Sequence, residues 1–221
     1  PYTTLFRSAD AEVSPHCDPE GLDAAMAARA DGAATDESWL VVTDTVFSMD
    51  GDVAPLAALC DRADRHGAWV MVDEAHATGI YADGAGIVGR EGLSDRVHVQ
   101  LGTLSKALGA QGGYVAGSEP LVEYLSNAAR GFVFSTGLAP PAAAAAGRGL
   151  EIAREGEARE RLWRNVERLR EGLTGMGYEV LGDTQILPVL VGDRERALEL
   201  DGRLADRGIV APAIRPPTVP E

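Results

Sequence analysis

The chain has 221 residues, of which 45% are hydrophobic, and it carries a formal net charge of −14 at pH 7. A chain of this size can bury a sizeable core, as one large domain or as one domain plus part of another. Its negative charge argues against a nucleic-acid or anionic-membrane surface, because those partners require clustered lysine and arginine. Two well-separated cysteines, with no CxxC pair and no His/Cys cluster, predict no disulfide framework and no metal site. The sequence has no apolar run of membrane-spanning length and no signal-peptide pattern, so it predicts a cytoplasmic protein.

Short apolar runs rich in β-formers alternate with amphipathic stretches, which is typical of a parallel sheet covered by helices. The run 68–73 does not alternate, so we expect that strand to be buried on both faces. Pro55 and Gly67 fit the first turn and the end of one helix. The predicted strands are 39–43, 68–73, 97–101 and 112–117, and the predicted helices are 55–66, 120–129 and 142–173.

The pattern changes after the long helix. Predicted strands at 178–181, 186–191 and 209–214, with a helix at 194–207, form a compact β-β-α-β unit. We therefore place a domain boundary within the long helix. Residues 9–150 are expected to be part of a large domain, and residues 151–221 a linking helix plus an incomplete small α+β domain. Residues 1–8 carry no pattern that joins them to the rest, and are interpreted as foreign or disordered sequence.

Lys106 is the only lysine in the sequence, beside 19 arginines. It stands in a turn of small residues after a predicted strand. A primary amine forms Schiff bases with carbonyls and exchanges protons near neutral pH once desolvated, whereas a guanidinium does neither. The alternative is a surface lysine left by chance in an arginine-biased composition. The residues around Lys106 must distinguish a functional amine from such a surface residue.

Polar side chains follow three of the predicted strands. Asp73 and His76 come at the end of one strand, Thr103, Ser105 and Lys106 just past another, and Ser48 past a third. In open parallel sheets, ligands bind beyond the carboxyl ends of the strands. Pyridoxal phosphate uses this set of groups: a lysine for its aldehyde, a carboxylate for its ring nitrogen and a partner for its phenolic oxygen. Taken alone, Asp73 fits a helix cap or turn equally well, and His76 fits a packed or exposed histidine.

Three motifs compete with this interpretation. The segment 73–76 spells a helicase box, but that site needs an upstream Gly-rich loop ending in Gly-Lys-Ser/Thr, and the only lysine lies downstream. The segment 84–89 matches G-x-G-x-x-G, yet it follows the strand only after about ten residues, so we interpret it as a flexible loop over the site. The segment 50–52 lacks the further oxygen ligands of a calcium loop and is interpreted as an Asp-Gly turn.

Five segments together resemble the α-oxoamine synthases, fold-type I pyridoxal-phosphate enzymes that condense an amino acid with an acyl-CoA thioester and release carbon dioxide. The resemblance runs from about residue 10 to the last residue, with the segments in family order. It implies an α/β fold with a mostly parallel sheet flanked by helices, plus part of a small α+β C-terminal domain. The segments are TVFSMDGD (45–52), MVDEAHATG (71–79), GTLSKALG (102–109), FST (134–136) and AIRPPTVP (213–220).

The resemblance assigns three catalytic residues. Lys106 would bind the cofactor covalently and, once the substrate displaces it, remove the substrate α-proton as general base. Asp73 would pair with the pyridinium nitrogen. His76 would hydrogen-bond the phenolic oxygen and polarise the incoming acyl carbonyl.

The resemblance also implies further cofactor contacts and a partner. Ser48 would share the phenolic oxygen with the histidine, Ala75 would pack on the ring face, and Thr103 would bind the phosphate. Ser135 and Thr136 would reach the phosphate of the neighbouring subunit's cofactor, which implies a homodimer.

Within the family, the segments 187–193 and 214–220 are most similar to those of the 8-amino-7-oxononanoate synthases. The expected reaction condenses L-alanine with pimeloyl-CoA or pimeloyl-ACP, with decarboxylation, in biotin biosynthesis. A sibling enzyme that uses glycine and another acyl-CoA, and a non-catalytic module that keeps the fold, stay open. The family's phosphate-binding glycine turn, its ring-stacking side chain and its carboxylate-binding arginine are not found in these residues, and Arg215 stands elsewhere in the motif. We therefore expect the isolated chain to be inactive or nearly so.

Overall fold

The computed structural model describes residues 10–30 and 38–219. These residues divide into two compact units, the first holding 10–30, 38–46 and 54–159 and the second holding 47–53 and 160–219. The expected domain division into 9–150 and 151–221 stays a prediction. Residues 1–8, interpreted as foreign or disordered, lie outside the described part of the chain.

A four-stranded sheet is the main β structure of the first unit. Its strands are β1 (Leu40–Asp44), β2 (Trp69–Asp73), β3 (Val99–Thr103) and β4 (Gly113–Gly117), in the spatial order β1-β2-β3-β4. The first three are parallel and β4 is antiparallel to β3. The predicted mostly parallel sheet is therefore confirmed, and each strand begins within two residues of its predicted start.

The most buried strand of this sheet is β2. Val70, Met71 and Val72 are buried at consecutive positions. Because successive side chains of a strand point to opposite faces, this pattern requires cover on both faces of the sheet. The expectation for the run 68–73 is confirmed.

Helices account for most of the remaining first unit. They are α1 (Pro19–Ala30), α2 (Leu56–Arg65), α3 (Gly86–Glu91), α4 (Glu119–Ala128), α5 (Arg130–Val133), α6 (Pro140–Glu155) and the start of α7 (Glu157–Gly175). The helix α2 contacts β2 and α1, and it buries one stripe of side chains at three- and four-residue spacing: Leu56, Leu59, Cys60 and Ala63. Among the described residues, no helix combines the length and the apolar character needed to cross a bilayer.

The second unit contains a short hairpin and a capped helix. Antiparallel strands β5 (Glu179–Val180) and β6 (Val189–Leu190) precede α8 (Arg194–Ala205), whose first turn is capped by the Asp193 carboxylate accepting from the Arg196 N–H at 2.8 Å. The segment 47–53 belongs to this unit. Gly51 has a φ of +67°, and its carbonyl accepts from the Thr184 hydroxyl at 2.8 Å. The predicted Asp-Gly turn is confirmed.

Two expectations for the C-terminal part are wrong. The single helix over 142–173 is instead two helices, because Gly156 takes a left-handed φ of +87° that ends α6. Arg159 holds this break, since its guanidinium donates to the Ala153 carbonyl at 2.6 Å and to the Asp83 carboxylate at 2.5 Å. Residues 209–214 form no strand in the described structure. Val210 is 91% exposed, so burial does not favour an extended pairing there.

Candidate active site

The carboxyl edge of the parallel strands carries the candidate site. Asp44 ends β1 and Asp73 ends β2, and the two residues are register partners across the strand pair. On the other side of β2, Asp73 pairs with Leu101 of β3, which continues two residues further to Thr103. Parallel strands deliver their last residues to one edge of a sheet, so this arrangement follows directly from the topology.

A tight turn after β2 holds the predicted residues of the first motif. The Asp73 carboxylate accepts through Oδ1 from the Ala75 N–H at 2.8 Å, and the Glu74 carbonyl accepts from the N–H groups of Ala77 and Thr78 at 2.8 Å. Asp73 therefore does act as a turn carboxylate, and it uses Oδ1 for this contact. A carboxylate has further acceptor capacity on its second oxygen, so the turn contact is compatible with a cofactor role.

Lys106 and His76 meet at this edge. The Lys106 Nζ lies 2.8 Å from the His76 Nε2. Burial lowers the pKa of His76, and the Lys106 charge lowers it further, while Asp73 acts in the opposite direction. The neutral imidazole is thus favoured, and a neutral ring nitrogen accepts a hydrogen bond from the amine.

The loop that carries Lys106 is closed by its own hydrogen bonds. The Thr103 hydroxyl donates to the Gly112 carbonyl at 3.1 Å and accepts from the Ser105 N–H at 3.2 Å. The two hydroxyl oxygens of Thr103 and Ser105 lie 2.8 Å apart. Because the Thr103 proton is directed to Gly112, the Ser105 hydroxyl is the donor of this pair. Two hydroxyls that precede the lysine are therefore held in a fixed arrangement.

Three predicted residues belong to other segments of the chain. Ser135 and Thr136 occupy the exposed segment that follows α5, where the Ser135 N–H and hydroxyl both reach the Phe132 carbonyl at 3.4 Å. Ser48 lies in the turn 48–50 of the second unit. The roles assigned to these residues stay predictions.

Sequence reasoning missed one carboxylate at the site. Asp44 stands at the same strand end as Asp73. Burial raises the pKa of Asp44, the charge of Asp73 raises it further, and Lys106 lowers it. The signal was present, because Asp44 directly follows the predicted strand 39–43 at the edge where the other polar groups were expected.

The Gly-rich segment 84–89 is not a flexible loop over the site, and that prediction is wrong. A 3₁₀ turn (Ala82–Gly84) leads into α3, and Gly86, Ile87 and Val88 are buried. The reason is a second missed residue, Glu74, whose carboxylate accepts from the N–H groups of Ile87 and Val88 at 3.0–3.1 Å. A buried anion therefore fixes the segment in place.

The sheet and the lysine at its carboxyl edge define the class of protein. The chain belongs to the aminotransferase class I and II family, whose sequence model matches residues 2–221. The predicted family resemblance and fold class are confirmed at this level.

Individual proteins that are similar to this chain include enzymes with a known reaction. The 8-amino-7-oxononanoate synthase of Stutzerimonas stutzeri is 54% identical over 82% of this chain and 47% of that protein, and that of Anaeromyxobacter dehalogenans strain 2CP-C is 50% identical over 93% and 51%. A solved serine palmitoyltransferase variant from S. paucimobilis, with a bound PLP–myriocin aldimine, is 33% identical with a TM-score of 0.84, and covers 93% of this chain and 52% of that one. The chain spans about half the length of the curated relatives it matches.

Proposed function

We propose that the protein is a pyridoxal-phosphate-dependent acyltransferase that condenses L-alanine with a pimeloyl thioester, on CoA or ACP, and releases carbon dioxide to give 8-amino-7-oxononanoate for biotin synthesis. The contact between Lys106 and His76 beside Asp73 carries the reaction class. Identities of 50% and 54% to two 8-amino-7-oxononanoate synthases support this reaction.

The side chains at the sheet edge fit the cofactor. Its aldehyde needs an amine, which Lys106 offers, and its ring nitrogen needs a carboxylate, which Asp73 offers. Its phosphate needs hydroxyl and N–H donors, and the Thr103 hydroxyl would supply one by releasing the Gly112 carbonyl. When bound, pyridoxal phosphate supplies a ring that withdraws electrons from the substrate α-carbon.

The amine of Lys106 has two tasks, and His76 assists both. A neutral amine that donates one N–H to His76 Nε2 keeps its lone pair free, either to attack a carbonyl or to take a proton from the substrate α-carbon. An imidazolium could not accept this bond and would repel an ammonium. The lowered pKa of His76, caused first by burial and then by Lys106, therefore favours the working arrangement at neutral pH.

Asp73 and Thr103 orient the ligand rather than move protons. Two hydrogen bonds hold Asp73. Its carbonyl accepts from the Thr45 N–H at 3.0 Å, and its carboxylate accepts from the Ala75 N–H at 2.8 Å. A carboxylate held in this way would keep a proton on the ring nitrogen. The Thr103 hydroxyl donates to the Gly112 carbonyl, and turning its proton from that carbonyl to the phosphate would let it hold the cofactor.

The first test is covalent labelling of the lysine. The protein is incubated with pyridoxal phosphate, reduced with borohydride and mapped by mass spectrometry. One pyridoxyl group on Lys106 is expected. Because the sequence has one lysine, Lys106→Arg leaves only the amino terminus as a competing amine, and it is expected to abolish the label inside the chain. A label that is absent from the wild-type peptide would refute the proposal.

The second test separates the substrates. Turnover with L-alanine and pimeloyl-CoA is compared with turnover of glycine with acetyl- or succinyl-CoA. Faster reaction with glycine would favour the sibling enzymes, and a labelled but unreactive chain would agree with the expected inactivity of these residues on their own.

We further propose a cytoplasmic homodimer in which Ser135 and Thr136 serve the neighbouring subunit's cofactor. Their exposed position supports the shared site, and the wide separation of Cys17 and Cys60 in the sequence, with no CxxC pair, supports the compartment. Mixing Lys106→Arg chains with chains carrying Ser135→Ala and Thr136→Ala should restore tight binding at about a quarter of the sites, because random pairing gives half heterodimers with one intact site each. Cell fractionation tests the compartment, and no recovery on mixing would refute the shared site.

A further inference from the structure

Glu74 is the most buried ionisable side chain near the candidate site, at 1% exposure. Both of its carboxylate oxygens accept from the Ile87 N–H at 3.1 Å, and Oε1 also accepts from the Val88 N–H at 3.0 Å. Gly86 makes this docking possible, because a Cβ at that position would lie 1.4 Å from Glu74 Oε2. The Gly-rich segment thus binds an anion that the chain itself provides.

The backbone of Glu74 is anchored on the opposite side. Its N–H donates to the Leu101 carbonyl of β3 at 2.8 Å. Its carbonyl accepts from Ala77, from the Thr78 N–H and from the Thr78 hydroxyl at 3.0 Å. The Thr78 hydroxyl also lies 2.7 Å from the Tyr114 hydroxyl of β4, which is then the donor of that pair. Glu74 therefore sits in the turn of residues 73–78, which also carries Asp73 and His76.

The pKa of the buried Glu74 carboxyl is raised above its ordinary value. Burial raises its pKa, while hydrogen bonds from Val88, Thr45 and Ile87 lower it and the charge of Asp73 raises it again. The ionised form is the one that suits two N–H donors, because both oxygens then act only as acceptors.

We propose that Glu74 is a positioning residue: its carboxylate fastens the turn of residues 73–78 to the backbone of Gly86–Val88, and thereby sets the contact between His76 and Lys106. This inference rests on the proposed function for its significance. Its geometry does not depend on the cofactor, since every contact above belongs to the chain. Supporting contacts of this kind commonly alter ligand affinity about tenfold or more when they are removed.

The sharpest test is a pH titration of His76 in the full chain without cofactor, in which NMR signals of the imidazole report its protonation. Glu74→Gln places an amide NH₂ against backbone N–H donors and should release the turn. We expect the His76 midpoint to rise towards 6.5, because the ring loses its burial and its contact with the Lys106 charge. Loss of the negative charge alone would move the midpoint downward, so the direction separates release of the turn from simple electrostatics.

Two further variants make the test specific. Gly86→Ala keeps the glutamate charge but forces the carboxylate away, and it should raise the His76 midpoint as well. Val88→Ala truncates a fully buried side chain while keeping the N–H that Glu74 binds, so it should lower the melting temperature and leave the His76 midpoint unchanged. Should Glu74→Gln fail to fold, Tyr114→Phe removes one hydroxyl from the opposite anchor and is expected to shift the midpoint in the same direction.

A second measurement follows pyridoxal phosphate binding by absorbance. Glu74→Gln and Gly86→Ala should weaken binding about tenfold or more, and Val88→Ala should not. Equal His76 midpoints in wild type, Glu74→Gln and Gly86→Ala would overturn the positioning role, as would a shift in Val88→Ala of the same size. A failed label on Lys106 in wild type would instead refute the proposed function and leave the His76 result to decide the role of Glu74.

Discussion

Gly149 of α6 lets the lysine loop approach the helix backbone. A Cβ at this position would lie 2.3 Å from the Leu108 carbonyl oxygen and 3.0–3.1 Å from the neighbouring backbone atoms of Leu108. Those atoms belong to the loop whose first turn is closed by the Gly109 N–H donating to the Lys106 carbonyl at 3.0 Å. Gly149→Ala must therefore move the loop or the helix by about 1 Å, since no flexible side chain end is available to yield.

The expected cost combines two opposing terms. Crowding a packed backbone costs about 1–3 kcal/mol, whereas alanine stabilises a helix interior by about 1 kcal/mol relative to glycine. Gly147 in the same helix supplies the matched control, because a Cβ there meets nothing within 4 Å. Gly147→Ala should thus stabilise by about 0.5–1 kcal/mol, and Gly149→Ala should destabilise by about 1 kcal/mol, or about 2–4 °C in melting temperature.

The assay pairs stability with chemistry. Denaturant unfolding gives the difference in unfolding free energy between Gly147→Ala and Gly149→Ala. The gain in helix propensity is common to both variants and cancels in this difference. Borohydride labelling of Lys106 then reports the loop, and we expect at least a tenfold lower labelling rate in Gly149→Ala alone, since a displacement of about 1 Å at a reacting group can cost about a hundredfold. Equal stabilisation by both alanines, with equal labelling, would refute the close approach of helix and loop.

Three other predictions concern charge and capping. Because the pKa of His76 is lowered, the unfolded chain binds more protons than the folded chain between that pKa and 6.5. The free energy of unfolding should therefore fall as the pH falls through this window. Denaturant unfolding at a series of pH values should show a weaker pH dependence for His76→Asn. Because burial and Asp73 raise the pKa of Asp44, its charge is unfavourable at neutral pH, and Asp44→Asn should raise the unfolding free energy at pH 7 but not near pH 3. Asp193→Ala should cost about 1 kcal/mol of α8 stability and Asp193→Asn very little, as measured by thermal unfolding; equal losses would refute the cap.

Much of the first unit could be predicted because its signals are local. The run 68–73 is apolar without alternation, and Pro55 and Gly67 mark the flanks of α2. The break at Gly156 escaped prediction, since a glycine inside a helical pattern is often tolerated and its left-handed φ is stabilised by Arg159 reaching Asp83, far away in sequence. Residues 209–214 have β-forming side chains, but a strand also needs a partner and burial, and neither can be read from composition.

The candidate site divides in the same way. Lys106, His76 and Asp73 could be placed together because parallel strands bring their carboxyl ends to one edge, a rule that needs only strand order. Glu74 could not be interpreted correctly, since its partners are backbone N–H groups, which every residue except proline possesses and which leave no trace in the sequence. The glycines of the segment 84–89 left a trace, but it fits a phosphate and an internal carboxylate equally well, because both are anions bound by N–H groups. Only the position of Glu74, filling that place from within the chain, decides between them.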